Sequence, residues 1–261
     1  MSAHPTLSTD LTASHLGEAA RHFALEFVAQ CTSTNDTLAE RGADEGRLQV
    51  LLAHRQTAGR GRRGRSWLSI PGRGLTFSCG WNLPQTAPSP AGLSLVVGLA
   101  LAEALESLGA HNIRLKWPND LLAGGAKLAG ILIELVSGQQ RTRRVIIGIG
   151  INLRGDGELP PGATALCDHA AQLPADEAIL ARILRRLRAR LLDFAAGGFA
   201  AVRDDWQQRD AFRGQAVCIT GDAMNEQGLC EGVDTDGALL LRTPGGMQRI
   251  LSGDVSLRAG A

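Results

Sequence analysis

The chain has 261 residues, a hydrophobic share of 44%, a charged share of 20% and a formal net charge of +1. That length suits one large domain with a small one beside it, and that balance is ordinary for a globular protein. A generally basic nucleic-acid binder is excluded, and the longest apolar stretch, about Leu93 to Ala102, is far short of the roughly 20 residues of a membrane span.

Met1 to Leu25 shows no basic-then-apolar signal pattern, so the chain reads as soluble and cytoplasmic. Residues 1 to 22 are polar and aperiodic and read as a frayed N-terminus. Phe23 to Ala29 alternates weakly, as a strand would. Ser33 with Asp36 three residues on is a helix N-cap pattern, and Gly42 suits the end of a short helix. Val50 to Ala53 and Leu75 to Trp81 read as strands. Ser89-Pro90 then predicts an N-cap with proline in the first helical position. The helix is apolar on most sides, hence buried, and Gly109 stops it.

Ile113 to Trp117 is a predicted strand, broken by the turn Pro118-Asn119-Asp120. Leu128 to Val136 and Val145 to Leu153 are rich in β-branched residues and read as paired central strands. Leu180, Ile183, Leu184, Leu187 and Leu191 recur at helical spacing opposite Arg182, Arg185 and Arg186, a solvated face. That helix ends at Gly197-Gly198. The texture changes after Phe212 into short strands separated by turns at Gly221-Asp222, Asp236-Gly237 and Gly245-Gly246. A boundary near Asp210 therefore divides a large domain, 23–210, from a small all-β domain, 211–261, read as a barrel.

The cysteines number five, scattered, with no C-x-x-C pair, so neither a zinc ribbon nor a disulfide framework is supported. Between Arg55 and Arg73 lie six arginines and no acid. Three glycines interrupt Gly59-Arg60-Gly61-Arg62-Arg63-Gly64-Arg65 and disfavour a regular helix or strand. The guanidiniums repel one another until an anion arrives, so the segment reads as a mobile loop that orders around phosphate. Trp67 behind it offers a face for a flat ring. Phosphate with a ring points to a nucleotide.

Only two of the 27 basic residues are lysines, Lys116 and Lys127. In a chain that uses arginine for every generic charge, these are positions that need a compact ammonium. Pro118 forces Trp117 into an extended conformation. The turn then sets Asn119, Asp120 and Lys127 at one edge of the sheet. Gly148-Ile149-Gly150-Ile151-Asn152 is a glycine-bearing strand that admits a close neighbour. It is not a G-x-G-x-x-G fingerprint, and no P-loop lysine motif occurs.

Five elements appear in order: Ser33-Thr34-Asn35; Gln56 with the arginine loop and Trp67; Lys116-Trp117-Pro118-Asn119-Asp120; Lys127-Leu128-Ala129-Gly130-Ile131; and Gly148-x-Gly150-Ile151-Asn152. Together they resemble the biotin protein ligases over roughly residues 25 to 155, and the small C-terminal domain fits as well. The resemblance implies an α/β (α+β) fold, a mixed sheet flanked by helices as in class II aminoacyl-tRNA synthetases. It implies a ligase that joins biotin to ATP as biotinyl-5'-AMP. That intermediate then passes the biotin to a lysine of a biotin carboxyl carrier protein.

By the same resemblance, Ser33, Thr34, Asn35 and Gln56 form the hydrogen-bonding end of the biotin pocket, and Arg60, Gly61, Arg62 and Lys127 complete it. Arg60 and Arg62 close over the adenylate. Arg63, Trp67, Lys116, Asn119 and Asn152 serve the nucleotide. Lys127, Arg62 and Asp120 are the catalytic group, with Asp120 placed to position or deprotonate the incoming lysine. Mg²⁺ is expected with ATP, bound mainly through phosphate oxygens; no side chain is assigned as a metal ligand.

Many relatives carry an N-terminal winged helix-turn-helix and repress transcription. About 25 residues precede the catalytic region here, so no DNA partner is expected; a homodimer stays open. A lipoate–protein ligase is the nearer alternative, disfavoured by the polar run Ser33-Thr34-Asn35. An arginine-loop nucleic-acid-binding module is the more distant one.

Overall fold

The computed structural model describes residues 7–42, 44, 46–136, 143–155, 159–220, 225–251 and 256–259. The predicted turn at Gly221-Asp222 lies outside them. Seven strands form the main sheet: β1 (Phe23–Cys31), β2 (Leu48–Gln56), β3 (Gly74–Leu83), β4 (Ile113–Lys116), β5 (Asp120–Ala123), β6 (Ala126–Val136) and β7 (Arg143–Asn152). Their order is β1-β2-β3-β7-β6-β5-β4. Only β1 and β2 run parallel, and the crossover between them carries helix α2 (Thr34–Ala39). Every other neighbour pair is antiparallel.

Strand β7 shows why the two faces differ. Side chains alternate across a strand. Val145, Ile147, Ile149 and Ile151 enter the main core, while Ile146 packs with Leu38 and Leu51 in a second cluster. Helices α3 (Leu93–Glu106) and α4 (Asp176–Gly197) contribute to the main core. Eleven of the fourteen residues of α3 are buried, as its unbroken apolar sequence predicts. On the other face, Gly148 and Gly150 leave β7 thin, and that thinness is where the site forms.

Helix α3 begins later than the Ser89-Pro90 signal predicts. Its N-cap is Gly92, at φ 76°. A Cβ on Gly92 would lie 2.7 Å from the Phe199 side chain, so packing rather than capping chemistry sets the start. The N-terminus also differs from expectation. Residues Thr9–Leu16 form helix α1, capped by Ser8, and Leu16 is buried. Arg185 donates to the carbonyls of His15 and Leu16, both at 2.7 Å. One arginine of the predicted solvated face of α4 thus anchors a helix end, a tertiary contact that helical periodicity does not reveal. Residues 1–6 of the expected frayed segment lie outside the described ones.

Helix α5 (Arg203–Gln207) leads to the second sheet. Its strands are β8 (Ala216–Thr220), β9 (Asn225–Val233), β10 (Leu239–Thr243), β11 (Gly246–Ile250) and β12 (Ser256–Ala259). They pair antiparallel in the order β11-β10-β9-β8-β12. The small all-β region is thus one five-stranded sheet. Its approach covers the outer edge of β4: Leu115 N–H donates to Arg209 O and Ala211 N–H to Leu115 O, each 2.8 Å. Among the described residues no helix is long and apolar enough to cross a membrane.

Asp210 sits at this junction with Oδ1 taking the Phe212 N–H at 3.0 Å and Oδ2 buried without a partner. Burial pushes its carboxyl up to about 6 from 3.8. The folded state therefore holds a proton that the unfolded state has lost between those pH values. The contribution to stability is greatest below 3.8 and declines as pH rises through 6. Asp210→Asn is expected to raise stability at pH 8 by up to about 3 kcal/mol and to change little at pH 4. Urea unfolding at both pH values checks this, and an equal effect at both would count against it.

Candidate active site

Helix α2 opens the polar end of the site. Ser33 Oγ accepts the Asp36 N–H at 3.4 Å, the predicted cap. This directs Thr34 and Asn35 into the sheet, where both are buried. Thr34 N–H donates to Gln56 Oε1 at 2.7 Å, and Thr34 Oγ1 lies 3.0 Å from the same oxygen. Ser78 Oγ on β3 sits 2.7 Å from Thr34 Oγ1 and 2.6 Å from Asn35 Oδ1. Asn35 Nδ2 donates to Glu134 Oε2 at 2.6 Å. Gly148 makes room for this amide, since a Cβ there would be 2.4 Å from Asn35 Oδ1.

The arginine segment is folded back on itself. Trp67 N–H donates to Gly59 O at 2.9 Å and Gly61 N–H to Arg65 O at 2.6 Å. Between them Arg62–Gly64 makes a 3-10 turn, with Arg63 at φ 59° and Gly64 at φ 69°. The segment read as one that orders around an anion has a defined backbone turn here, and one of its arginines meets carboxylates of the chain itself. Arg60 reaches both oxygens of Glu134, at 2.9 and 3.0 Å, and also pairs with Asp36. Arg62 Nη1 donates to Asn119 Oδ1 at 3.2 Å. Arg63 is exposed at the tip.

The β4–β5–β6 edge supplies the opposite wall. Trp117 is 0% exposed, and its indole N–H donates to Gly237 O of the second sheet at 3.0 Å; it is core, not a stacking face. Asn119 Nδ2 donates to Ile131 O at 2.9 Å. Gly124 and Gly125, at φ 55° and 85°, form a two-residue hairpin loop, which returns the chain at Lys127. Lys127 Nζ lies 2.7 Å from Asp120 Oδ1. Its backbone is held on both sides, donating to Gly162 O at 2.8 Å and accepting from Thr164 N–H at 2.9 Å.

Two cavities meet here. One, of about 170 Å³, is lined by Thr34, Gln56, Arg62, Lys116, Asp120 and Lys127, among others. The other, of about 290 Å³, is lined by Arg73, Asn152 and the Leu159–Ala163 segment. Trp67 and Lys127 belong to both. The Trp67 ring lies over β6 and β7 where side chains are missing. A Cβ on Gly150 would be 2.1 Å from Trp67 Cε2, and one on Gly130 3.3 Å from Cζ3. The glycine-bearing strand therefore admits an indole.

The predicted site residues come together in this cleft, Arg60 and Arg63 as exposed groups at its rim and the others half-buried or buried. Asn152 is at the edge of the second cavity, its amide donating to Thr164 O at 3.1 Å. Sequence reasoning missed Ser78 and the role of Glu134. Their signal is a polar residue set among apolar ones: Thr76 and Ser78 alternate with the apolar Leu75, Phe77 and Cys79, and Glu134 is the one charged residue in the apolar run Leu128–Val136 of β6. Arg144 was also missed. Only 8% exposed, it donates to Leu38 O at 3.0 Å, at the C-terminal end of α2, and to Gln49 Oε1 at 2.7 Å. It braces the helix whose other end carries Thr34 and Asn35.

A model of the Biotin/lipoate A/B protein ligase family matches residues 27–152, and one of the Biotin protein ligase C terminal domain matches residues 214–258. Bifunctional ligase/repressor BirA of Escherichia coli strain K12 is 36% identical over 231 residues, covering 87% of this chain and 72% of that one. Biotin--[acetyl-CoA-carboxylase] ligase of Mycobacterium tuberculosis is 34% identical over 239 residues, covering 88% of each. The solved biotin protein ligase from Aquifex aeolicus in complex with biotin and ATP superposes with a TM-score of 0.80 at 32% identity, over 92% of this chain and 100% of that one. Fold and site together thus define a ligase. The chain belongs to the biotin protein ligase family.

Proposed function

We propose that this ligase activates biotin with ATP where the two cavities meet and transfers it from the adenylate to a lysine of a biotin carboxyl carrier domain. The observation that carries this reading is the junction. One ammonium, Lys127, and one indole, Trp67, belong to both cavities. A carboxylate lying in the first and a nucleotide lying in the second would meet at that ammonium.

In the first step a biotin carboxylate oxygen attacks the α-phosphorus while the bond to pyrophosphate breaks. Negative charge grows on the phosphoryl oxygens, and Lys127 and Arg62 stabilise it. Asp120, paired with Lys127, orients the ammonium. In the second step the acceptor amine attacks the acyl carbon and the bond to AMP breaks. Asp120 then holds or accepts the proton of the incoming amine. Trp67 supplies the face for adenine. The relatives' names include acetyl-CoA-carboxylase ligases, which supports a carrier domain as acceptor.

Mg²⁺ belongs to the ATP substrate in this reading. Among the described residues no group of three or more His, Cys, Asp or Glu side chains could hold a metal. The phosphate oxygens would supply most of its ligands. Lipoate is the weaker reading, because its apolar ring offers no N–H donor to the acceptor capacity that Thr34 Oγ1 and Gln56 Oε1 retain beside their contacts within the protein.

Biotin-dependent exchange of pyrophosphate into ATP, with lipoate as control, tests the assignment directly. Exchange with lipoate alone would overturn it. For the arginine turn, Arg62→Gly is expected to speed adenylate dissociation by about tenfold or more, through loss of a charge-assisted contact. Unchanged dissociation in that variant would remove Arg62 from the site.

A further inference from the structure

We infer that Glu134, outside the lining of either cavity, is a positioning residue that sets the hydrogen-bond polarity of the biotin pocket. The inference rests on the biotin reading above. It starts from a shortage of hydrogens. Four oxygens lie in a row: Gln56 Oε1, Thr34 Oγ1, Ser78 Oγ and Asn35 Oδ1, with separations of 3.0, 2.7 and 2.6 Å. Two of them are carbonyl oxygens, which only accept, and each hydroxyl has one hydrogen. Three contacts therefore share two hydrogens. The contacts at 2.6 and 2.7 Å are too short to lack one. The 3.0 Å contact is the one that does without, since Gln56 Oε1 already takes the Thr34 N–H at 2.7 Å.

Direction follows from Glu134. A carboxylate accepts only, so the Asn35 amide must turn its nitrogen toward Glu134 and its oxygen toward Ser78. Ser78 then donates to Asn35, and Thr34 donates to Ser78. The Thr34 hydrogen points away from Gln56, and the lone pairs of Thr34 Oγ1 are left for a ligand along with one on Gln56 Oε1. If the chain ran the other way, Ser78 would donate to Thr34 and Thr34 to Gln56. Acceptor capacity facing the pocket would drop from about three lone pairs to one. A ureido group carries two N–H donors and needs the first arrangement. Glu134 is itself fixed by Arg60, which reaches both its oxygens. The arginine turn and the polar end of the pocket are thereby joined at one carboxylate.

Glu134→Gln lets either end of its amide face Asn35, so the direction is no longer imposed. The test is a double-mutant cycle with Ser78→Ala, which removes the middle of the chain. Glu134→Gln is expected to raise the biotin Kd and KM about tenfold, the size of one lost hydrogen bond, while kcat falls less than threefold. Discrimination against biotin methylated on a ureido nitrogen should shrink about fivefold or more. In the Ser78→Ala background the same change should cost less than threefold. Equal costs in both backgrounds, or a Kd within twofold of the parent, would overturn the inference. If Glu134→Gln does not fold, Ser78→Ala alone must still weaken discrimination against the methylated ligand, and undiminished discrimination rejects the idea. A parent protein without biotin-dependent exchange would instead reject the underlying function.

Discussion

Lys127→Arg is expected to reduce biotin-dependent pyrophosphate exchange by about 100-fold or more, the usual cost of removing one preorganised donor from a developing oxyanion. Charge is conserved, so any loss comes from shape. Lys127 Nζ sits 2.7 Å from Asp120 Oδ1 and about the same side of β6 as Gly130, where a Cβ would be 3.4 Å from Nζ. The backbone of Lys127 is clamped by Gly162 and Thr164, so the side chain cannot retreat to fit a larger head. A guanidinium is planar, wider, and offers its hydrogens in a fixed fork, whereas an ammonium turns its three donors toward whatever oxygen is near. Biotin binding alone, measured calorimetrically, should change far less than the exchange rate. Near-normal exchange in the variant would remove Lys127 from the chemistry.

Gly150→Ala is expected to raise the KM for ATP about tenfold or more while leaving the fold intact. The new methyl would sit 2.1 Å from Trp67 Cε2 and 2.4 Å from Cζ2, so the indole must move. Trp67 is only half-buried and its loop joins to β3 through an irregular segment, so the ring yields before the sheet does. Overpacking costs about 1–3 kcal/mol when the neighbour cannot adapt, and here part of that is relieved by displacing the ring from the wall shared by both cavities. An unchanged KM for ATP would mean that Trp67 does not shape the nucleotide site. A variant that fails to fold would contradict the proposed yielding of the ring.

The central strands were legible as apolar runs rich in β-branched residues, and the buried helix α3 because its sequence has no polar face. The cleft was legible as a set of motifs, since the unusual residues, two lysines among 27 basic ones and glycines among arginines, cluster in it. Its electrostatics were not. Asp36 and Glu134 are far from Arg60 in sequence, so their pairing with it depends on the alignment of β2, β3, β7 and β6. Helix α1 was hidden for a similar reason. It is short and weakly patterned, and the partner that holds it, Arg185, comes about 170 residues later.

That late partner bears on how the protein is handled at the bench. The family match starts at residue 27, a natural place to trim an expression plasmid. Such trimming would strip Leu16 from its buried position and leave Arg185 facing water with no carbonyls to hold. The stripe beneath, no longer roofed, would become sticky, and insolubility of a shortened version would then report on a missing roof rather than on a poor catalytic domain.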